Sequence, residues 1–405
     1  MGSRGRFVPQ DWRLCRLVEA ATLQRGYDLP VQDRRAGDVP IYAANGQVGW
    51  NDEYKVNGPG VITGRSGTIG KVAFVSCDFW PLNTTLYVKD FHGNSPEFIW
   101  RFLEWLGLER FSAGTGVPTL NRNVAHLEKV VIPPYGEQEA IVRILSCLDT
   151  AIERTRAVIE QVRVVKQALL ADLMTNGLPG RHKKFKTVKG LGRVPQDWRV
   201  TRLDAINKDD RPICYGILMP GSGHPGGVPV VKVKDITDNR ICTDDLLLTT
   251  PELDEQYRRS RLRAGELLLT IRGTTGRVAA IPDELQDANI TQDTARVSPV
   301  SKVNSMFLYF ALQAPDVQSQ IRLHTIGQAV KGINIGEVRK LRIPLPQLGE
   351  QEQMAALLTA VDARIEQETA QYDQLVIAKQ SLSDALLTGK VRVEHKTKVP
   401  AKSAG

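Results

Sequence analysis

Between Glu137 and Asn176 the chain carries neither glycine nor proline, and its apolar positions keep a regular rhythm. Ile141, Leu145, Leu148, Ile152, Thr155, Ile159, Val162, Lys166, Leu169 and Leu173 step 4-3-4-3. That spacing predicts one long helix with a heptad seam of about five repeats. The rhythm returns 213 residues later at Met354, Leu358, Val361, Ile365, Glu368, Tyr372, Leu375, Lys379, Leu382 and Leu386. Both seams are broken by polar residues at the same two places, Thr155 with Glu368 and Lys166 with Lys379. Matched interruptions suit two helices paired with each other in a fixed register. Two amphipathic helices packed on separate domains would show the same rhythm. Their length favours pairing, since about 40 residues at 1.5 Å each make a helix of roughly 60 Å.

The rest of the chain also repeats. Val8-Pro9-Gln10-Asp11-Trp12-Arg13 returns as Val194-Pro195-Gln196-Asp197-Trp198-Arg199, and Gly67-Thr68-Ile69-Gly70-Lys71-Val72-Ala73 returns as Gly273-Thr274-Thr275-Gly276-Arg277-Val278-Ala279. Gly136-Glu137-Gln138-Glu139 returns as Gly349-Glu350-Gln351-Glu352. The offset grows from 186 through 206 to 213, as expected of a tandem duplication with insertions in the second copy. A period near 200 residues is a repeated domain and not a solenoid unit. Ahead of each helix, stretches rich in glycine, proline, aromatic and β-branched residues predict short strands between turns, for example Gly60–Thr63 and Val72–Val75. The predicted organisation is a globular unit over 1–135, a central helix over 136–178, a basic linker and second unit over 179–348, a distal helix over 349–390, and a disordered basic tail over 391–405. The fold class is α+β. Two α/β units are joined by two long antiparallel helices in a coiled-coil rod, with a pseudo-two-fold internal repeat, and the rod acts as a ruler between the units.

Composition changes this picture little. No 18-residue apolar run is present, so no membrane association is expected. The first residues, Met1–Arg6, lack the apolar run of a secretory leader. Five scattered cysteines without a CxxC predict reduced thiols and a cytoplasmic protein, and the scattered histidines argue against a metal site. The net charge of +8 is localised. Residues 181–193 carry +6, the segment from Lys390 carries +4, and the remainder is slightly acidic. The two runs are either solvated linker and tail or contacts to phosphate.

Two apparent catalytic motifs fail on chemistry. Ile132-Pro133-Pro134-Tyr135 imitates an amino-methyltransferase motif, but Ile132 cannot hydrogen-bond a target amino group. Gly64 to Lys71 lacks the GxxxxGK[ST] spacing of a nucleotide loop. The loop has a different use. Its glycines allow close backbone approach, while Arg65 with Arg272 and Lys71 with Arg277 supply positive charge, and Thr68 and Thr274 supply hydroxyls. Backbone amides with arginine suit phosphate, and arginine also forks onto guanine. A structural hairpin with solvated arginines would carry the same residues. Asn83-Thr84-Thr85 aligns with Asn289-Ile290-Thr291, followed by Gln292, and these groups either read a base edge or cap a turn. Gly116 and Asn123 match Gly327 and Asn334, with Arg122 and Lys331 adding charge nearby. Lys232 and Lys234 alternate on a predicted strand, so both should point one way. Asn45 is a turn residue first and a base reader second.

Taken in order and in duplicate, these motifs resemble the specificity subunit of type I restriction–modification enzymes over nearly the whole chain. The resemblance rests on Ile132-Pro133-Pro134-Tyr135-Gly136-Glu137-Gln138-Glu139 and on Ile343-Pro344-Leu345-Pro346-Gln347-Leu348-Gly349-Glu350-Gln351-Glu352. It rests also on Lys379-Gln380-Ser381-Leu382 and on Leu386-Leu387-Thr388-Gly389-Lys390. Val39 to Gly46, Gly64 to Lys71 and Val228 to Ile236 are similar to target-recognition domains of that family. The resemblance implies a non-catalytic subunit in which each recognition domain reads one half of a split, asymmetric site in double-stranded DNA. It implies helices that set the spacer and dock two methyltransferase subunits, with two restriction subunits completing the complex. S-adenosylmethionine, ATP and Mg would be bound by those partners and not by this chain. The half-sites should differ, because residues 18–60 and 204–265 show little likeness. A helical scaffold without DNA specificity and a stand-alone DNA-binding protein are the competing readings.

Overall fold

The computed structural model describes residues 8–113, 118–327 and 331–394. Gly116 and the predicted tail from residue 395 onward lie outside the described residues. The chain divides into two compact units, one of residues 1–156 with 370–405 and the other of residues 157–369. Each unit contains one half of each long helix, α1 (Tyr135–Asn176) and α2 (Leu348–Leu387).

Both units repeat one topology. In the first, a four-stranded antiparallel sheet runs Thr22–Arg25, Thr85–Asp90, Gly60–Gly64, Val72–Val75. A three-stranded sheet places Val39–Ala43 between antiparallel Gly46–Asn51 and parallel Trp80–Pro81. The second unit repeats the four strands as Cys214–Tyr215, Thr294–Val297, Leu267–Thr270, Val278–Ala280. Its three-stranded sheet places Val228–Val231 between antiparallel Leu247–Thr249 and parallel Asn289–Ile290. A strand just after each tryptophan pairs with the strand that leads into the long helix: Arg13–Arg16 with Lys129–Ile132, and Arg199–Arg202 with Arg342–Leu345. The prolines at 133–134 end the first of these strands, and the Pro134 carbonyl accepts from Glu137 N and Gln138 N to begin α1.

The helix that packs on each sheet explains the core. Pro96–Leu106 is capped by Ser95 Oγ, and it buries Phe98, Ile99, Phe102 and Leu103 against Val61 and Leu86 of the sheet. Ser305–Gln313 is capped by Asn304 Oδ1, and it buries Phe307, Leu308 and Phe310 against Leu267 and Leu269. The seam of the long helices completes each core. Ile141, Leu145 and Leu386 close the first, while Leu173, Met354 and Leu358 close the second.

Every seam position of both helices is at least half-buried, including Leu148, Ile152, Ile159, Leu169, Val361, Ile365, Tyr372 and Leu382. Within each unit the two helices meet through one ion pair. Lys379 Nζ lies 2.6 Å from Asp149 Oδ1 in the first unit, and Lys166 Nζ lies 2.5 Å from Asp362 Oδ1 in the second. Lys166 and Lys379 are 213 residues apart, as are Asp149 and Asp362, so each lysine meets the aspartate of the other copy. Reciprocal contacts of this kind are the mark of an antiparallel, self-complementary pair. The two lysine breaks in the seams thus act as register pins. Burial would raise the Asp149 carboxyl, but hydrogen bonds from Lys379 and from Arg101 Nη1, at 2.6 Å, hold it below the usual carboxylate range.

Candidate nucleic-acid interface

The Gly-Glu-Gln-Glu motif at the start of each long helix holds its own unit together from within. Glu137 is fully buried and accepts from Trp12 Nε1 at 2.9 Å and from Arg392 Nε and Nη2, both at 2.9 Å. Burial would raise its carboxyl, but the bonds from Arg392, Trp12 and Val393 N hold it below the ordinary range. Glu350 makes the corresponding contacts, accepting from Trp198 Nε1 at 3.2 Å and lying 2.8 Å from His182 Nε2. Each closing side chain, Arg392 or His182, comes from the segment that follows the other copy's helix. Gln138 Oε1 accepts from Ser95 N, and Gln351 Oε1 from Asn304 N, so the next residue of the motif caps the core helix. Sequence reading found these residues as repeats without assigning them this work.

On the first unit, Arg25, Arg65 and Arg122 line one cleft of about 340 Å³ together with Leu86, Thr119, Leu120 and Asn121. The loop after Gly60–Gly64 builds it. Arg65 N donates to the Thr84 carbonyl and Leu120 N to the Arg65 carbonyl. Arg65 Nε donates to the Asn83 carbonyl at 3.1 Å. Arg122 opens a short helix, Arg122–His126, capped by Asn121 Oδ1. His126 Nε2 accepts from Leu23 N at 2.9 Å, which ties that helix to the strand ending in Arg25. Burial, helped by the Arg122 charge, lowers the His126 imidazole below its ordinary value and keeps it neutral for that bond. Arg25 and His126 were missed by sequence reasoning. Arg25 sits in no motif, and only the strand pairing shows where it ends up.

On the second unit, Arg272 is exposed and donates from Nη1 to Gln292 Oε1 at 2.8 Å. Gly273 N donates to the Lys331 carbonyl at 2.9 Å, which brings exposed Lys331 to the same loop. Arg272, Gln292 and Lys331 therefore form one group. Several expectations are corrected. Arg65 and Arg272 are not equivalent positions, because the 206 offset aligns Arg65 with buried Ile271 and Ser66 with Arg272. The two bridges Ser66 to Thr119 and Arg272 to Gly332 show the same alignment. Thr291 is buried, and its hydroxyl, like that of Thr84, is enclosed by protein and not offered to a base. Asn83 is half-buried, its Nδ2 donates to Asp28 Oδ1, and its counterpart Asn289 is wholly buried. Arg277 is half-buried, and its Nη1 is committed to the Ile236 carbonyl at 2.6 Å. Lys232 and Lys234 do not share a strand, which ends at Val231; Lys232 leads into a 3₁₀ turn, Val233–Asp235. Both lysines nonetheless line one cleft of about 460 Å³ with His224 and Asp245.

The remaining candidates are surface groups. Asn45 is exposed in the tight turn between paired Ala43 and Gly46. Thr68 and Lys71 are exposed on the Gly64–Lys71 loop. Gly64 is needed there, because a Cβ would lie 1.7 Å from the Thr68 carbonyl. Thr274 is exposed, and its carbonyl accepts from Thr270 Oγ1 at 2.5 Å, so a side-chain hydroxyl holds the turn where the first copy uses glycine. No helix among the described residues is long and apolar enough to cross a membrane.

Known proteins resemble this arrangement. The chain is 30% identical over 273 residues to the type I restriction enzyme EcoBI specificity subunit of Escherichia coli, covering 65% of this chain and 57% of that protein. It is 27% identical to the MjaVIII specificity subunit of Methanocaldococcus jannaschii, covering 71% of this chain and 68% of that one. The match thus spans less than two thirds of the first of these relatives. Its fold is similar to a crystal structure of the type I restriction–modification S subunit from M. genitalium, with a TM-score of 0.58 at 13% identity over 95% of this chain and 98% of that one. A chain from a structure of complex assembly in a type I restriction–modification system gives 0.58 at 18% identity, over 95% of this chain and 100% of that one. The family model described as type I restriction modification DNA specificity domain matches residues 9–163 and again 224–376. With both halves of the duplication matched, and the same strands and helices built from each, the chain belongs to the family of type I restriction–modification DNA specificity proteins.

Proposed function

We propose that this chain is the DNA-reading, non-catalytic subunit of a type I restriction–modification complex, and that each unit reads one half of a bipartite site in double-stranded DNA. The observation that supports this most directly is the pair of basic groups on one repeated topology: Arg25, Arg65 and Arg122 in one unit, Arg272 and Lys331 in the other. Guanidinium and ammonium groups beside a glycine loop suit phosphate, and the exposed Arg272, oriented by Gln292, is of the residue type that reads guanine. The family supports the partner classes, methyltransferase and restriction subunits; in this reading two methyltransferase subunits dock on the paired helices and two restriction subunits complete the complex. Adenine-N6 methylation with S-adenosylmethionine, and ATP- and Mg-dependent cleavage, belong to those partners. The paired helices set the gap between the half-sites, whose centres should lie about one turn, roughly 10 bp, apart.

The test is to co-express the chain with its methyltransferase subunit and map N6-methyladenine across the host genome. A split asymmetric motif with a fixed gap, present only with both proteins, is expected. A stable complex that methylates no defined motif would overturn the DNA-reading role.

A further inference from the structure

An arginine, an amide and a loop tip are linked in each unit. In the first, Arg65 Nε donates to the Asn83 carbonyl, and Asn83 Nδ2 donates to Asp28 Oδ1. In the second, Arg272 Nη1 donates to Gln292 Oε1, and Gln292 Nε2 donates to the Leu218 carbonyl at 3.4 Å. The tips are homologous. Tyr27 makes a parallel bridge with Leu82, and Ile217 makes one with Thr291. The residue before each bridge is a glycine pressed on backbone: a Cβ on Gly26 would lie 2.3 Å from the Leu82 carbonyl, and one on Gly216 would lie 1.9 Å from the Ile290 carbonyl. So both tips leave the sheet at a clamped point. The second is clamped at its far end too, since buried Thr249 donates from Oγ1 to the Pro220 carbonyl at 3.1 Å.

Each unit ties an arginine to its tip through an amide residue, from different loop positions, and the two tips present different groups. The first unit presents Asp28, which is exposed. The second presents Leu218 and Met219, the latter 84% exposed. A long apolar side chain held this far into water, on a turn fixed at both ends and beside a cationic group, is placed for a surface and not for a core. The Asp28 carboxylate, tied to Arg65 through Asn83, would be repelled by phosphates, and it suits a donor on a base. Resting on the DNA-reading role above, we propose that these tips are the specificity determinants of the two half-sites. Asp28 accepts from the N4 amino group of a cytosine, and Met219 packs on the methyl group of a thymine. The major groove presents both groups, and acidic and apolar side chains are their respective partners.

The experiment uses the full chain with its methyltransferase subunit and a duplex library randomised at both half-sites. Binding-selected sequences are compared for the native chain, Met219→Ala, Met219→Leu and Asp28→Ala. Met219→Ala should lose the preference for thymine at one position of one half-site by about fivefold to a hundredfold, with the other half-site unchanged. Met219→Leu should retain it. Asp28→Ala should lose a cytosine in the opposite half-site. Since Met219 is exposed, its replacement leaves the core intact, and unchanged motifs with undiminished binding would overturn the proposal. If the native chain enriches no motif, the DNA-reading role itself fails, which is a separate result.

Discussion

Trp12 and Trp198 each direct an indole N–H onto a buried glutamate at the start of a long helix. A carboxylate without water survives only when donors surround it, and Arg392 or His182 completes each set. The same economy governs the basic cleft. His126 accepts a backbone N–H and must be neutral to do so. Its folded pKa is lowered, so the unfolded chain takes up a proton first as pH falls. The stability contributed by His126 is therefore complete above about pH 6.5 and is lost as pH falls from there through the folded value. Chemical unfolding of the native chain and His126→Gln across that range should show the native chain losing stability relative to the variant below about pH 6.5; parallel curves would refute the tie. Arg25→Ala and Arg122→Ala should each weaken DNA binding for all sequences alike and reduce the slope of log K against log salt by about 0.9, read by titration at several salt concentrations. An unchanged slope would place those arginines away from phosphate.

At the scale of elements, the ion pairs in the seam decide which helix faces which. A lysine in a heptad core position costs stability unless its charge is met, and Asp149 and Asp362 meet it. The surroundings differ. Lys166 also lies over the Phe310 ring, 5.5 Å from its centroid, whereas Asp149 is shared with Arg101. Lys166→Met and Asp362→Leu should each destabilise the second unit, and the double variant should recover part of the loss. A double-mutant cycle by chemical unfolding should give a coupling of about 1–3 kcal/mol. A coupling near zero would mean that the pair does not fix register. The elements themselves were partly legible. The strands at 60–64 and 72–75 follow from β-branched runs between glycines, and both long helices follow from uninterrupted 4-3 spacing. Which loop residues face outward was not legible. Asn83, Thr84 and Thr291 carry the same groups whether they read a base or close a loop, and only packing shows that Thr291 is buried.

For the whole molecule, the testable quantity is the gap between half-sites. One heptad inserted into both helices at matched positions preserves the 4-3 seam and the lysine–aspartate register. It lengthens the pair by about 10 Å, or roughly three base pairs. Methylation mapping should then return the same two half-sites with a spacer longer by about three. An unchanged spacer would show that the helices do not set it.

The duplication, the two helices and the polar breaks in their seams were determined by the sequence alone, because a heptad rhythm and a repeated motif are properties of residue order. The topology shared by both units was settled only by the tertiary structure, as strand partners are far apart in the chain. So was the meeting of Arg25, Arg65 and Arg122, which belong to three separate segments. The sequence placed Arg65 and Arg272 one position apart in similar loops, and the tertiary structure decided which neighbours each meets, the Asn83 carbonyl for Arg65 and Gln292 for Arg272. Residue order records which groups a chain has, whereas burial and pairing across distant segments decide which of them reach solvent.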